Sequence, residues 1–148
     1  MDSHPELSLD NQLCFSLYRA SRAVTRAYQP LLNDLGLTYP QYITMLTLWE
    51  HDRPRGMHEL VRELGLDSGT LTPVCRRLEQ AGLLTRQRDT VDERRLIITL
   101  TDQGRALRTQ AAEIPTKIAC MYKDSGIDPI LLKQELDNLS ALLAGDQS

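Results

Sequence analysis

The most regular alternation of hydrophobic and polar positions lies in the middle of the chain, within residues 57–101. Apolar residues recur there at i, i+3, i+4 and i+7: Met57, Leu60, Val61 and Leu64. This spacing predicts a short amphipathic helix, and Gly65 follows it at a position where a left-handed residue commonly ends a helix. Asp67 or Ser68 can then accept hydrogen bonds from the first N–H groups of a second helix. The segment therefore begins as two short helices joined by a tight turn.

The second helix has an apolar face and a polar face. Leu71, Val74 and Leu78 form the predicted apolar face, and Gly82 ends the helix. The opposite face carries small polar and basic residues, namely Ser68, Thr70, Thr72, Pro73, Arg76 and Arg77. Residues 83–88 and 96–100 then read as two strands, the second with alternating apolar residues. The connecting tip, residues 89–95, is too highly charged for a core and is expected to be a solvated loop.

Two helices followed by a two-stranded hairpin predict a winged helix-turn-helix. Its second helix fits a DNA major groove, with short hydroxyls near base edges and arginines near phosphates or guanine. Arg94 at the hairpin tip suits the narrow, electronegative minor groove, and Arg86 on the first wing strand is included among the predicted DNA-binding residues. A polar helix face or a charged hairpin tip is by itself usually just solvated. It is the combination that favours DNA binding.

The segment LDSGTLTPVCRRLEQAGLLTRQRDTVDERRLIITLTDQG resembles the core of MarR-family transcription factors, including the wing motif Asp92-Glu93-Arg94-Arg95. The resemblance extends over about residues 10 to 145. It implies that Arg94 enters the minor groove and that Asp92 helps to hold the wing.

Composition supports one domain over residues 1–148, mainly α with a small β-wing. With 148 residues and 41% hydrophobic content the chain can bury a core, while aromatic residues are scarce. No leader and no apolar run of membrane-spanning length is evident, so a cytoplasmic protein is expected, in which the three cysteines start as thiols. The histidines do not pair with cysteines at metal-ligand spacing, and no metal or cofactor is expected.

The net charge of −3 conceals a basic centre. Residues 1–52 and residues 109–148 each hold three basic and six acidic side chains. Residues 53–108 hold eleven basic side chains, all arginine, and eight acidic ones. This distribution favours DNA binding by the central region alone.

Longer helices are predicted on both sides of the 53–101 core. Asp10 is a candidate N-cap for a first helix ending near Leu35-Gly36, and Thr38 opens a second one through His51 with apolar Ile43, Leu46 and Trp49. Residues 53–56 are expected to be a linker. Thr101 or Asp102 caps a long helix that Pro115 should bend rather than end, and Asp128 caps the last helix. The first helix carries a 3.5-residue apolar seam: Leu13, Leu17, Ala20, Val24, Ala27 and Leu31.

These outer helices, residues 10–52 and 102–145, show more apolar surface than one small core can cover. A homodimer formed by both regions is therefore expected. A two-fold dimer would present two recognition helices to a palindromic operator in double-stranded DNA, with half-sites roughly 34 Å apart.

Cys14 is the second candidate functional residue. A free cysteine is usually a small buried hydrophobe, but Cys14 lies in the first turn of its helix, where the helix dipole favours a thiolate. Tyr18 is four residues along the same helix and can approach it. Tyr28 lies fourteen residues away, roughly 21 Å along a helix, and can reach Cys14 only from another subunit.

Within the MarR family, this cysteine with its following tyrosines is similar to the OhrR-type repressors that sense organic hydroperoxides. The resemblance implies that such a peroxide oxidises Cys14, and that Tyr28 and Tyr39 hydrogen-bond its thiolate from the partner subunit. It also favours Cys120 as the second cysteine of an intersubunit disulfide, against an ordinary apolar position or a small thiol as the resolving group. Cys75 is expected to be a filler at the edge of the core.

Two other functions compete with that of a redox-controlled repressor. A MarR-like repressor could sense a small aromatic ligand in the dimer cleft, and a Cys14→Ser protein would then still respond. A thiol peroxidase, the enzyme alternative, would need no basic recognition helix or wing. The chain is therefore expected not to be an enzyme.

Overall fold

Seven α-helices and one three-stranded antiparallel sheet form residues 3–145, the part of the chain that this computed structural model describes. The elements in chain order are α1 (Leu13–Asn33), α2 (Tyr39–Glu50), β1 (Arg55–Gly56), α3 (Met57–Leu64), α4 (Ser68–Gln80), β2 (Leu84–Arg88), β3 (Leu96–Leu100), α5 (Asp102–Ala111), α6 (Ile114–Tyr122) and α7 (Pro129–Gly145). The described residues divide after Ala112 into two compact units, residues 3–112 and residues 113–145. The predicted mainly α fold with a small β-wing is confirmed.

The first helix begins two residues later than the sequence suggested, because its N-cap is residue 12 rather than residue 10. Two short 3-10 turns, Pro5–Leu7 and Leu9–Asn11, precede it, and Asp10 lies inside the second turn. The prediction of Asp10 as N-cap was wrong, because Gln12 occupies that position without a side-chain capping bond. Cys14 nevertheless lies in the first turn of α1, as predicted, where it is the second residue.

The second helix supplies much of the core of the first unit. Thr38 caps it reciprocally with Gln41, so that each side chain bonds the other's backbone N–H. The predicted apolar face was partly wrong, because Trp49 is buried but Leu46 is 40% exposed and Ile43 is half-buried. Tyr42, Met45 and Leu48 are buried beside Trp49, so the helix is covered over a wider arc than one stripe.

The wing belongs to a three-stranded sheet rather than a two-stranded one. Its strand order is β1-β3-β2, with Arg55 opposite Ile98 and Leu84 opposite Leu100. The expected linker at residues 53–56 thus contains an edge strand. A two-residue strand shows no periodicity, and only its pairing with β3 defines it.

The helix-turn-helix agrees with the sequence in its boundaries and caps. Gly65 has φ 64° and ends α3, and Asp67 accepts a hydrogen bond from the Thr70 N–H at 2.7 Å to cap α4. The buried face of α4 is Leu71, Cys75 and Leu78. Val74 is only half-buried, so the prediction that it forms this face was wrong, and Cys75 lies in the core rather than at its edge.

The fifth helix packs tightly on the sheet. Thr101 caps it by accepting from the Gly104 N–H, and the buried Trp49 indole donates to the Gly104 carbonyl at 2.8 Å. A Cβ added at Gly104 would lie 2.0 Å from the Leu83 carbonyl oxygen. Only glycine permits this approach.

The second unit contains two helices. Pro115 is the second residue of α6, and Ala112 and Glu113 form a turn between α5 and α6. The expectation of one bent helix was therefore wrong, because the helical segment ends and restarts. Asp128 caps α7 as predicted, accepting from the N–H groups of Ile130 and Leu131. None of the residues of α7 is buried.

No helix among residues 3–145 combines the length and the apolar character needed to cross a membrane.

Candidate nucleic-acid interface and redox cysteine

The outward face of α4 carries the side chains that the sequence assigned to DNA. Ser68, Thr70, Pro73, Arg76 and Arg77 are exposed, and Thr72 is half-buried. The opposite face is anchored by fully buried Leu71 and Cys75. The core therefore fixes the helix rotation, so that hydroxyls and guanidinium groups point outward together.

The wing tip presents a highly exposed guanidinium on an ordered turn. The Asp92 carboxylate accepts from the backbone N–H and the Nε of Arg94, each at 3.1 Å, and the Arg95 N–H donates to the Asp92 carbonyl. The side chain of Arg94 remains 91% exposed. Hydrogen bonds from the Arg94 side chain and backbone hold the pKa of Asp92 below its ordinary value. Asp92 thus stays charged and orders the turn that displays Arg94.

Arg86 occupies a different environment from the other predicted DNA-binding residues. Its backbone N–H donates to Glu79 at 2.8 Å, and its Nε and Nη2 donate to the same carboxylate. These bonds keep the pKa of Glu79 below its ordinary value, the backbone bond being the largest cause. Only 19% of the Arg86 side chain is exposed. Arg86 therefore ties the end of α4 to the first wing strand, and its role in contacting DNA stays a prediction.

A groove of about 370 Å³ lies between α3, the start of α4 and the wing. Its lining combines apolar side chains with two guanidinium groups and comprises Met57, His58, Val61, Ser68, Arg94, Arg95 and Leu96. The groove separates the wing tip from α3 and from the start of α4.

A buried arginine in β1 that the sequence analysis did not single out bonds both α2 and α3. Arg55 has no exposed surface, donates from Nε to Glu59 at 2.8 Å and from Nη1 to the Thr47 carbonyl at 3.3 Å, and also bonds Glu63 through Nη2. The Arg55 hydrogen bond is the largest cause that lowers the pKa of Glu59 to about 2. The i, i+4 spacing of Arg55 and Glu59 was the available signal.

Cys14 is exposed near the start of α1 in the single chain. Tyr18, one turn further on, accepts a hydrogen bond from Arg22 at 3.3 Å and has the Arg22 guanidinium over its ring. Tyr28 and Tyr39 form a separate cluster with Tyr42, their ring centroids 5.1 Å apart and edge to face. The chain thus places the cysteine and these two tyrosines in distinct groups.

The other two cysteines differ sharply in accessibility. Cys120 is exposed on α6, whereas Cys75 is fully buried in α4. Burial raises the pKa of the Cys75 thiol to about 11, despite the opposing charge of Arg86. A neutral, buried thiol is a poor nucleophile, which agrees with its predicted role as a filler.

Sequence comparison assigns the family. The family described as the transcriptional regulator SarA/Rot matches residues 26–110. The chain belongs to this family. The regulator is 47% identical over 133 residues to the organic hydroperoxide resistance transcriptional regulator of Bacillus subtilis (strain 168). The alignment covers 90% of each chain. These relatives confirm the resemblance to MarR-type, hydroperoxide-linked regulators.

Solved structures agree with this assignment. Reduced AbfR bound to DNA superposes with a TM-score of 0.81 at 37% identity, covering 97% of each chain. AbfR, known from Staphylococcus epidermidis, is also solved in an overoxidised form bound to DNA (TM-score 0.75, 39% identity, 93% of this chain and 96% of that one). A disulfide form superposes with a TM-score of 0.65 at 38% identity, over 93% of this chain and 94% of that one. The regulator therefore has the MarR-type winged-helix fold.

Within residues 3–145 no group of three or more histidine, cysteine or acidic side chains is arranged to hold a metal ion.

Proposed function

We propose that this regulator is a homodimeric repressor that binds palindromic operator DNA and is released when an organic hydroperoxide oxidises Cys14. The observation that carries the proposal is the joint display of the polar α4 face and the 91% exposed Arg94 on a turn ordered by Asp92. This is the arrangement that a major groove and an adjacent minor groove would accept together.

The DNA-binding part assigns each group a role. Ser68, Thr70 and Thr72 offer short hydroxyls to base edges or phosphates, and Arg76 and Arg77 offer guanidinium groups. Arg94 enters the minor groove and Pro73 adds an apolar contact. Arg86 acts chiefly by holding β2 against α4, because Glu79 occupies its guanidinium.

Dimerisation is supported by the apolar surface that the single chain leaves exposed. Leu13 in α1 is 67% exposed, and in α7 Ile130 is 77% and Leu142 is 69% exposed. Six large apolar side chains of α7 are exposed, and such a concentration on one helix is typical of a surface that a second subunit covers. A dimer would also present two α4 helices to a palindrome.

The redox part begins at Cys14. This thiol lies in the first turn of α1 with Tyr18 on the same helix, and in the dimer Tyr28 and Tyr39 would approach it from the partner subunit. The thiolate attacks the peroxide O–O bond, forming cysteine sulfenic acid and releasing the alcohol. The Cys120 thiol of the other subunit then displaces water from the sulfenic sulfur and forms the disulfide.

The disulfide is the proposed releasing form. Sulfenic acid is a small change, whereas a disulfide requires Cα atoms within roughly 7 Å and so can displace helices. The overoxidised form of the similar protein AbfR is bound to DNA, which supports assigning release to the disulfide rather than to oxygenation of sulfur alone. Rotation of the winged regions would then separate the α4 helices from successive grooves.

Operator binding by the purified protein before and after cumene hydroperoxide tests this function. The reduced protein should bind duplexes that it selects from a randomised pool and lose them after one equivalent of peroxide. A Cys14→Ser variant should bind and not respond. Unchanged binding by peroxide-treated wild type would contradict the redox part, and sustained peroxide turnover with a reductant would instead indicate an enzyme.

A further inference from the structure

We infer that Arg55 is a positioning residue, whose buried guanidinium sets the separation between α3 and the wing and so allows Arg94 to contribute to DNA binding. The inference rests on the proposed DNA-binding function. It concerns a side chain that is remote from the outward face of α4 and has no exposed surface.

A fully buried arginine needs a structural reason. Removing a guanidinium from water is costly, and well-packed apolar side chains of similar volume are often as stable as a buried ion pair. An apolar residue, however, makes no hydrogen bonds of defined direction. Arg55 has a planar fork of donors, and three of them are used in three different directions, toward Glu59, Glu63 and the Thr47 carbonyl.

These partners lie on two different helices. Thr47 belongs to the last turns of α2, and Glu59 and Glu63 are one turn apart on α3. Arg55 itself is in β1, which pairs with β3 through Ile98. One guanidinium therefore joins α2, α3 and the sheet. Sliding of α3 along the sheet would break at least one of these charge-assisted hydrogen bonds.

The sheet connects the Arg55 network directly to the strand that follows the wing tip. Gly56 pairs with Ile97, and β3 begins at Leu96, the residue after Arg94-Arg95. On the other side, α3 starts at Met57, immediately after β1. Met57 and Leu96 both line the groove between α3 and the wing. The network around Arg55 thus lies at the point where α3 and the wing strand are joined, and it sets the width of that groove.

The test is a double-mutant cycle between Arg55 and Arg94, measured as operator affinity on duplexes selected by the wild-type protein. Arg55→Met fills similar volume without charge, and Glu59 and Glu63, which are 30% and 43% exposed, can turn to solvent. In the wild-type background Arg94→Ala should weaken binding about tenfold or more. In the Arg55→Met background the same change should weaken binding about twofold or less, because the wing is no longer held in place.

A purely structural role of Arg55 gives a different result. If Arg55→Met only destabilises the fold, the folded fraction falls equally in the proteins with and without Arg94→Ala. The loss of affinity caused by Arg94→Ala is then the same as in the wild-type background. Arg53→Met is the matched control, since it removes a 56% exposed arginine that also bonds Glu59. The Arg94 effect should stay near its wild-type size in that background.

If Arg94→Ala weakens operator binding in the Arg55→Met background as much as in the wild type, the inference is overturned. Should Arg55→Met fail to fold, Glu63→Gln replaces it, because this variant keeps Arg55 and removes one charged partner at the surface end of the network. The Arg94 effect must then fall at least about threefold, and an unchanged effect overturns the inference. If Arg94→Ala has no effect in the wild type, the proposed function itself fails.

Discussion

Arg94 shows at the scale of one residue how a charged turn acquires a fixed geometry. An exposed arginine alone would sample many rotamers, which costs entropy when it binds. Here Asp92 accepts from both the backbone and the side chain of Arg94, so that the turn is ordered before DNA arrives. The guanidinium is nonetheless left almost wholly accessible.

Arg94→Ala should weaken operator binding by about 1.4–3 kcal/mol, which is tenfold or more, and reduce the slope of log affinity against log salt by about 1, because one cation no longer displaces counterions. Titrations by fluorescence anisotropy at several salt concentrations measure both quantities. Arg108→Ala, an exposed arginine outside the proposed interface, is the control. The wing assignment fails if Arg94→Ala keeps the wild-type affinity and salt slope.

Tyr28→Phe and Tyr39→Phe should slow the oxidation of Cys14 at neutral pH while leaving DNA binding by the reduced protein nearly unchanged. The proposed reason is loss of hydroxyl donors that stabilise the thiolate across the dimer. Stopped-flow reaction with cumene hydroperoxide gives the rates. Tyr122→Phe, on α6, serves as a comparison. If both variants react as fast as wild type, the tyrosines do not support the thiolate.

At the scale of elements, two close attachments hold the winged region together. One is the approach of α5 to the sheet at Gly104, where the Trp49 indole donates to the Gly104 carbonyl. The other is the Arg55 network, which joins β1 to α2 and α3. Each attachment gives a stability prediction.

Gly104→Ala should destabilise the fold by about 2–4 kcal/mol, because the new Cβ would meet a backbone carbonyl that can yield only if α5 shifts. Chemical denaturation followed by circular dichroism measures the loss. Gly145→Ala, also helical and with no atom within 4 Å of its added Cβ, should change stability little. Equal effects of the two variants would contradict the close-packing argument.

Glu59→Gln should lower the free energy of unfolding at pH 7 by about 1–3 kcal/mol, since the variant loses a charged partner of buried Arg55. The folded-state pKa of Glu59, about 2, lies below the ordinary 4.5. The carboxylate therefore contributes its full stabilisation above pH 4.5 and loses it as the pH falls toward 2.

Denaturation at a series of pH values should accordingly show the wild type and Glu59→Gln converging between pH 4.5 and pH 2. Glu113→Gln, which breaks an exposed pair with Lys117, should cost less than about 0.5 kcal/mol throughout. A constant difference between wild type and Glu59→Gln across this range would show that the charge of Glu59 is not the cause.

At the scale of the whole molecule, the proposed switch requires two subunits, because Tyr28 lies too far along α1 to reach Cys14 of its own helix. Peroxide-treated protein should run as a covalent dimer on non-reducing gels and return to monomer with dithiothreitol. Cys120→Ser should abolish this dimer and leave Cys14 oxidisable to higher acids. Cys75→Ser should retain it, because Cys75 is buried. The reverse pattern would make Cys75 the resolving thiol.

The sequence by itself determined the elements whose signals are local. Gly65, Asp67, Thr101 and Asp128 act within one or two turns, so the ends of α3 and the starts of α4, α5 and α7 followed from side-chain chemistry and glycine freedom. The strand at Leu96–Leu100 followed from the recurrence of Leu96, Ile98 and Leu100 at every second position. The polar α4 face and the charged wing tip were visible for the same reason, since each occupies a short segment.

Tertiary structure decided what depends on distant partners. Residues 55–56 form the strand β1 because they pair with β3. Cys75 rather than Val74 lies in the core because the packing of α4 against neighbouring elements fixes the rotation of this helix. Arg55 looked like one more cation in a basic region, and burial against Glu59 and Glu63 made it part of the core. Burial depends on every element that covers a side chain, and periodicity within one segment does not contain that information.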